Sequence, residues 1–184
     1  MMEDIYKSSK EPQKLNTNDF QSHIQYLWSI FSTEELDSFD YFDCLWFAYS
    51  MKSSTQGKVV SWIKHKNVFT KKYTFGHWSL LILCHLGGSS LSNPPVMLLL
   101  DSLHSADPTR LFSEIKKFVF AIYAAKGREE SEEEIASIPL LVPQVPQQVN
   151  GTECGFFVLC YIYLFIKSAP HSFSLNDYPY FVCL

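Results

Sequence analysis

The sequence has no Cys-x-x-Cys pair, no excess of basic residues, no long apolar run and no internal repeat. Each absence removes a class of function. The five cysteines, Cys44, Cys84, Cys154, Cys160 and Cys183, are odd in number and follow no framework spacing. That excludes a disulfide scaffold and a structural zinc site, and fits reduced thiols in a cytosolic or nuclear compartment. The longest apolar run, Phe156 to Ile166, is too short to span a bilayer and suits a buried helix, so no membrane partner is expected. The opening MMEDIYKSSKEPQK has no apolar core, and no signal peptide is expected there. A net charge of -4 argues against a nucleic-acid partner but leaves room for a protein partner with a basic patch.

What is present is a chain of 184 residues, 47% hydrophobic and only 18% charged, enough for one globular domain with a real core. Aromatic residues make up 16%, which implies a dense core, with some rings free to line a groove. Residues 1–19 read as polar and loosely attached, and residues 20–51 as helical, with Ser32 and Glu35 spaced as a capping box. A short helix follows from Gly57 to about Lys66. HWSLLILCHL and PVMLLLDSL are short apolar runs between Gly, Asn and Pro signals and read as buried strands, with GGSSLSNPP as the loop between them.

Asp107-Pro108 opens a helix whose apolar face is Leu111, Phe112, Ile115, Phe118, Val119, Ile122 and Tyr123, stopped near Gly127. REESEEE reads as an acidic solvated loop, and IASIPLLV as a strand kept near a sheet edge by its proline. The last helix starts at Thr152 to Cys154, runs to about Ile166 and is apolar on nearly every side, so it should be central and buried. This order of elements gives an α+β fold.

The chemistry centres on VPQQVNGTECGFFVLC, where a polar turn breaks into that helix at Cys154. Unpaired N–H groups at a helix N-terminus favour a thiolate and can stabilise an oxyanion. Gly155, directly after the cysteine, would let a substrate backbone come close. A free cysteine is also commonly an inert core residue, which is how Cys160, inside the helix, reads. A nucleophile needs a base, and His77, at the start of an apolar strand, has the most rigid setting of the six histidines. His85 and His104 lie in or beside loop sequence and should face solvent, and His23, His65 and His171 lack a rigid setting. Asp101, at the end of the next strand, could orient an imidazole, although a strand-end Asp also commonly caps a turn. Gln148, six residues before Cys154, could supply an oxyanion donor through its amide, with Gln147 as the competitor.

The order His–Asp–Cys carried by GHWSL, LLLDSL and PQQVNGTECGFF resembles the ubiquitin-like-protein-specific cysteine proteases of the Ulp/SENP family, in particular the plant ubiquitin-like-specific protease 2 type. VVSWIKHKNVF and LLILCHLG look like the same group. The resemblance implies a papain-like α+β fold, with a small mixed sheet packed on a buried central helix that carries the nucleophile at its N-terminus. It divides the chain into a poorly matched segment 1–38, a protease domain 39–175 and a tail 176–184. It implies Cys154 as nucleophile, His77 as base, Asp101 as orienting acid, Gln148 in the oxyanion hole, and Trp78 covering a Gly-Gly tail.

The implied reaction is cleavage after Gly-Gly of SUMO or a related ubiquitin-like protein through a thioester, in deconjugation, precursor maturation or both. No metal or cofactor is required. The expected partners are SUMO or a related ubiquitin-like protein and its conjugates, and the protein is expected to be a monomer in the nucleus or also the cytoplasm. Two departures stand out: Glu153 replaces the family's usual Asp before the nucleophile, and the family's Leu-Asn-Asp segment is poorly matched in residues 1–38. Two other readings share the same residues, a catalytically weak module that binds a ubiquitin-like protein, and an acyltransferase.

Overall fold

The computed structural model describes residues 14–42, 56–76, 79–88, 93–103 and 107–169. Five short strands form one mixed sheet in sequence order, β1 (Phe39–Tyr41), β2 (Tyr73–Gly76), β3 (Leu80–Cys84), β4 (Val96–Leu100) and β5 (Leu140–Leu141). The three central strands are antiparallel, while β1 runs parallel to β2 and β5 parallel to β4. Among the described residues the helices are α1 (Thr17–Ser29), α2 (Thr33–Leu36), α3 (Gln56–His65), α4 (Phe112–Ala125), α5 (Glu132–Ser137) and α6 (Cys154–Ser168).

Every residue of β2, β3 and β4 is buried, because helices cover both faces of the sheet. Leu80, Ile82 and Cys84 of β3 face α6 and α1, packed with Phe20, Ile24, Val158, Ile162 and Phe165. Leu81 and Leu83 face the opposite layer, with Ile63 of α3, Val119 and Ile122 of α4 and Ile135 of α5. Side chains that alternate between two apolar layers explain why these strands read as continuous apolar runs. The aromatic excess is spent largely here. Phe165 meets the edges of Phe39, Tyr73 and Phe75, with ring centroids 6.5, 5.0 and 5.9 Å apart.

Local signals act as expected at several ends. Ser32 and Glu35 form the capping box of α2. The Asp107 carboxylate accepts from the Thr109 N–H at 2.9 Å and opens a 3-10 turn, Pro108–Leu111, that continues into α4. After α4, Gly127 takes a left-handed φ of 64°, which glycine adopts without steric cost.

Five expectations are corrected. Residues 14–19 are not loosely attached: Leu15 is buried and the Asn16 side chain accepts from the Asp19 N–H, capping α1. The helical reading of residues 20–51 ends early, since Phe39–Tyr41 pair with β2 as a strand; residues 43–51 lie outside the described residues. The acidic stretch is not all loop, because Ser131 and Glu134 form a second capping box and start α5, leaving only Leu140–Leu141 as an edge strand. His23 and His65 do stand on helices, each ring bonding the carbonyl four residues back.

His85 is the fifth. It is buried rather than solvent-facing, because a left-handed φ of 54° after β3 turns its ring onto Tyr73, with centroids 5.3 Å apart. Its Nε2 has no hydrogen-bond partner among the described residues. Burial, and then the nearby Lys72 charge, hold its imidazole below the ordinary histidine range. As pH falls through about 6.5 the unfolded chain takes up a proton that folded His85 resists, so this residue makes stability fall with pH. His85→Asn, which tolerates a left-handed backbone, should reduce the difference between urea midpoints at about pH 7.5 and about pH 5. An unchanged difference would remove His85 as a source of acid sensitivity.

Candidate active site

Helix α6 begins at Cys154, and no side chain caps it, so its first N–H groups are not taken up by a capping residue. Cys154 is half-buried and its thiol is free. Cys160, six residues further on, is half-buried within the helix. The turn before Cys154 is built by Asn150, whose Oδ1 accepts from the Thr152 N–H at 3.0 Å and from the Thr152 hydroxyl at 2.9 Å. This Asx-type turn feeds the chain into α6 at a fixed angle.

Gly155 does not open a path for substrate, contrary to expectation. A Cβ at this position would lie 3.2 Å from Leu15 Cδ1 and 3.3 Å from Leu15 Cβ. The missing side chain therefore makes room for the segment leading into α1, which explains why a polar N-terminal region carries a buried leucine.

The end of β4 supplies the second half of the site. Asp101 follows Leu100 and is buried. Its Oδ1 accepts from the Leu103 N–H at 3.0 Å, while Oδ2 is buried without a hydrogen-bond partner among the described residues. Leu100 pairs with Leu80, and Gly76, the last residue of β2, pairs with Leu81. β2 and β4 thus end on the same side of the sheet, flanking the start of β3. His77, Trp78 and His104 lie outside the described residues.

Gln148 joins the two halves. Its backbone N–H donates to the Ser102 carbonyl at 2.8 Å, and the Ser102 hydroxyl donates to Gln148 Oε1 at 2.6 Å. Its Nε2 donates to the Asn150 carbonyl at 2.5 Å. The alternative glutamine is held differently: Gln147 Nε2 donates to the carbonyls of Asp101, at 3.0 Å, and Val145, at 2.9 Å. From below, the Tyr161 hydroxyl of α6 donates to the Pro146 carbonyl. Asp101 and Gln148 are therefore brought together through one buried turn, and Gln148 is tied into the turn that leads to Cys154. Ser102 was missed in the sequence; a small hydroxyl residue directly after a candidate strand-end acid was the available signal. Among the described residues, no group of three or more His, Cys, Asp or Glu could hold a metal ion.

A model of the Ulp1 protease family, C-terminal catalytic domain, matches residues 51–183. Over 188 residues the chain is 29% identical to "Probable ubiquitin-like-specific protease 2A" of Arabidopsis thaliana, covering 87% of this chain and 24% of that protein. It is 30% identical over 140 residues to ubiquitin-like-specific protease 1C of the same plant, covering 63% of this chain and 23% of that protein. The chain thus spans about a quarter of the length of these curated relatives. Among solved structures, the crystal structure of a de-sumoylating protease superposes with a TM-score of 0.66 at 18% identity, covering 86% of this chain and 64% of that one. The SUMO protease Ulp1 with its catalytic cysteine oxidised to a sulfenic acid gives 0.62 at 18% identity, with 91% and 73% covered. These likenesses show the papain-like α+β fold expected from the sequence.

The contact between Gly155 and Leu15 gives a direct test of how the start of α6 is held. Gly155→Val should destabilise the protein by about 1–3 kcal/mol through overpacking, as measured by chemical denaturation. A variant as stable as the parent would mean that Leu15 does not fix the helix start.

Proposed function

The chain belongs to the Ulp1 protease family, and from that premise we propose that it is a cysteine peptidase cleaving after the Gly-Gly end of SUMO or a related ubiquitin-like protein. One observation carries the reading. A free cysteine opens the buried helix α6, and the chain just before it is pinned to the strand end that holds a buried carboxylate.

In this reading the Cys154 thiolate attacks the carbonyl carbon of the terminal glycine, and the electron pair of the C=O bond moves to oxygen. The N–H groups at the start of α6 and one amide hydrogen of Gln148 stabilise that oxyanion. Collapse expels the amine, to which the His77 imidazolium gives its proton, leaving a thioester on Cys154. Water, deprotonated by His77, then attacks the thioester, releases the acyl group as a carboxylic acid and restores the thiolate and imidazolium. Asp101 holds the imidazole in its working tautomer. The unpartnered, buried Asp101 Oδ2 supports that role, because a buried carboxylate oxygen without a donor is costly and an imidazole N–H would satisfy it. Trp78, next to His77, would cover the narrow Gly-Gly tail. Glycines would suit such a site, since a tail without side chains can approach a helix end closely.

Deconjugation breaks an isopeptide bond and precursor maturation a peptide bond at the same glycine carbonyl, and we propose one or both, by a monomer acting in the nucleus or also the cytoplasm. The curated relatives named for ubiquitin-like-specific proteolysis support the substrate class.

The test is cleavage of a SUMO fusion extended beyond Gly-Gly. The parent should cleave it, and Cys154→Ser should lose about 10³-fold or more of the activity while keeping its unfolding midpoint. Trp78→Ala should lose activity on Gly-Gly substrates well beyond any loss of stability. Parent-like cleavage by Cys154→Ser would remove the nucleophile assignment, and tight binding without cleavage by the parent would make the protein a binding module.

A further inference from the structure

We propose that Ser102 is a positioning residue that presets the Gln148 amide for oxyanion stabilisation. The proposal rests on the reading of Cys154 as the nucleophile and of Gln148 as the oxyanion donor. Ser102 and Gln148 are 3% and 7% exposed, so neither side chain can rely on bulk water for hydrogen bonding. A primary amide can be seated in two ways, with oxygen and nitrogen exchanged, and only one of them aims N–H groups at a neighbouring oxyanion.

The surroundings of Gln148 allow only one seating. The Asn150 carbonyl can accept but never donate, so it takes the Nε2 side of the amide, at 2.5 Å. That leaves Oε1 at the other end, where the Ser102 hydroxyl donates to it at 2.6 Å. Asn150 uses one of the two Nε2 hydrogens, and the second remains for substrate. A hydrogen bond accepted at Oε1 also polarises the amide and strengthens its N–H groups as donors. Without the Ser102 hydroxyl, Oε1 would be a buried acceptor with no donor, and the amide would gain by rotating towards one.

Ser102 is itself rigidly placed. Asp101 Oδ1 accepts from the Leu103 N–H across it, and its own carbonyl accepts from the Gln148 N–H at 2.8 Å. The same turn thus holds the orienting acid and locks the oxyanion donor. Ser102→Ala would leave the backbone bond to Gln148 in place, so that only the rotamer lock is lost. Gln147 provides a comparison, since its side chain ties the same segment to the carbonyls of Asp101 and Val145.

The experiment measures kcat, KM and unfolding midpoint on a SUMO fusion for the parent, Ser102→Ala, Ser102→Thr, Gln147→Ala, Gln148→Ala and the Ser102→Ala/Gln148→Ala double variant. Loss of one oxyanion donor costs on the order of 10²–10³-fold in kcat, so its misalignment by Ser102→Ala should cost about ten- to a hundredfold, with KM changed less than about twofold. Ser102→Thr, which keeps the hydroxyl, should recover most of that loss. In the Gln148→Ala background Ser102→Ala should have little further effect, because both act through one amide. Gln147→Ala, which loosens the segment without removing the Ser102 hydroxyl, should lower the midpoint.

If Ser102→Ala does not fold, Ser102→Cys, similar in size but a weak donor, is read in the same way. A parent-like kcat in Ser102→Ala, or a loss that adds fully to that of Gln148→Ala, overturns this proposal alone. Absence of turnover by the parent overturns it together with the reading beneath it.

Discussion

The structure depends on burying helix α6. Val158, Leu159, Tyr161, Ile162, Phe165 and Ile166 are all buried, and the remaining apolar side chains of the helix are partly covered. At roughly 1.5–3 kcal/mol for each fully buried large apolar side chain, no surface position for this helix competes with one between the sheet and α1. Phe165 enters the ring cluster of Phe39, Tyr73 and Phe75, and Gly155 lies against Leu15, so the helix is held near both ends. The position of its first residue, Cys154, follows from that packing. The candidate site is thus set on an element held by apolar packing.

A polar clasp completes the arrangement. A buried carboxylate and a buried amide are costly to desolvate, and here they share one turn whose hydrogen bonds satisfy most of their groups. Gln147 holds the Asp101 carbonyl, Gln148 and Ser102 exchange two bonds, and Tyr161 reaches up from α6 to Pro146. The exception is Asp101 Oδ2, which has no partner among the described residues and which, in the proposed reading, would hold an imidazole. The strand ends, the extended segment 142–148 and the helix start therefore behave as one unit.

Much of this architecture was legible in the sequence because the signals were local. LLILC and VMLLL could be read as strands because two-sided burial makes them uniformly apolar over a length too short for a helix. The start of α6 was legible because a turn-rich stretch meets a long apolar run at Cys154. The features that escaped are set by distant partners. β1 is three residues long and exists through its pairing with β2, more than thirty residues away. His85 is buried by the backbone geometry of one turn, which its polarity does not reveal. Leu15 is buried because a glycine in α6 leaves room for it. Helix α5 is different: Ser131 and Glu134 repeat the spacing of Ser32 and Glu35, and the run of glutamates masked a signal that was present.

The central claim is that Cys154, alone among the cysteines, is aimed at a Gly-Gly carbonyl. It is tested most directly by incubating the protein with SUMO and with ubiquitin, each carrying a thiol-reactive group at its C-terminus, and mapping any adduct by peptide mass spectrometry. The expected result is one adduct with SUMO, on Cys154, with no labelling of Cys84 or Cys160. No adduct with either protein, or an adduct on another cysteine, would contradict the claim.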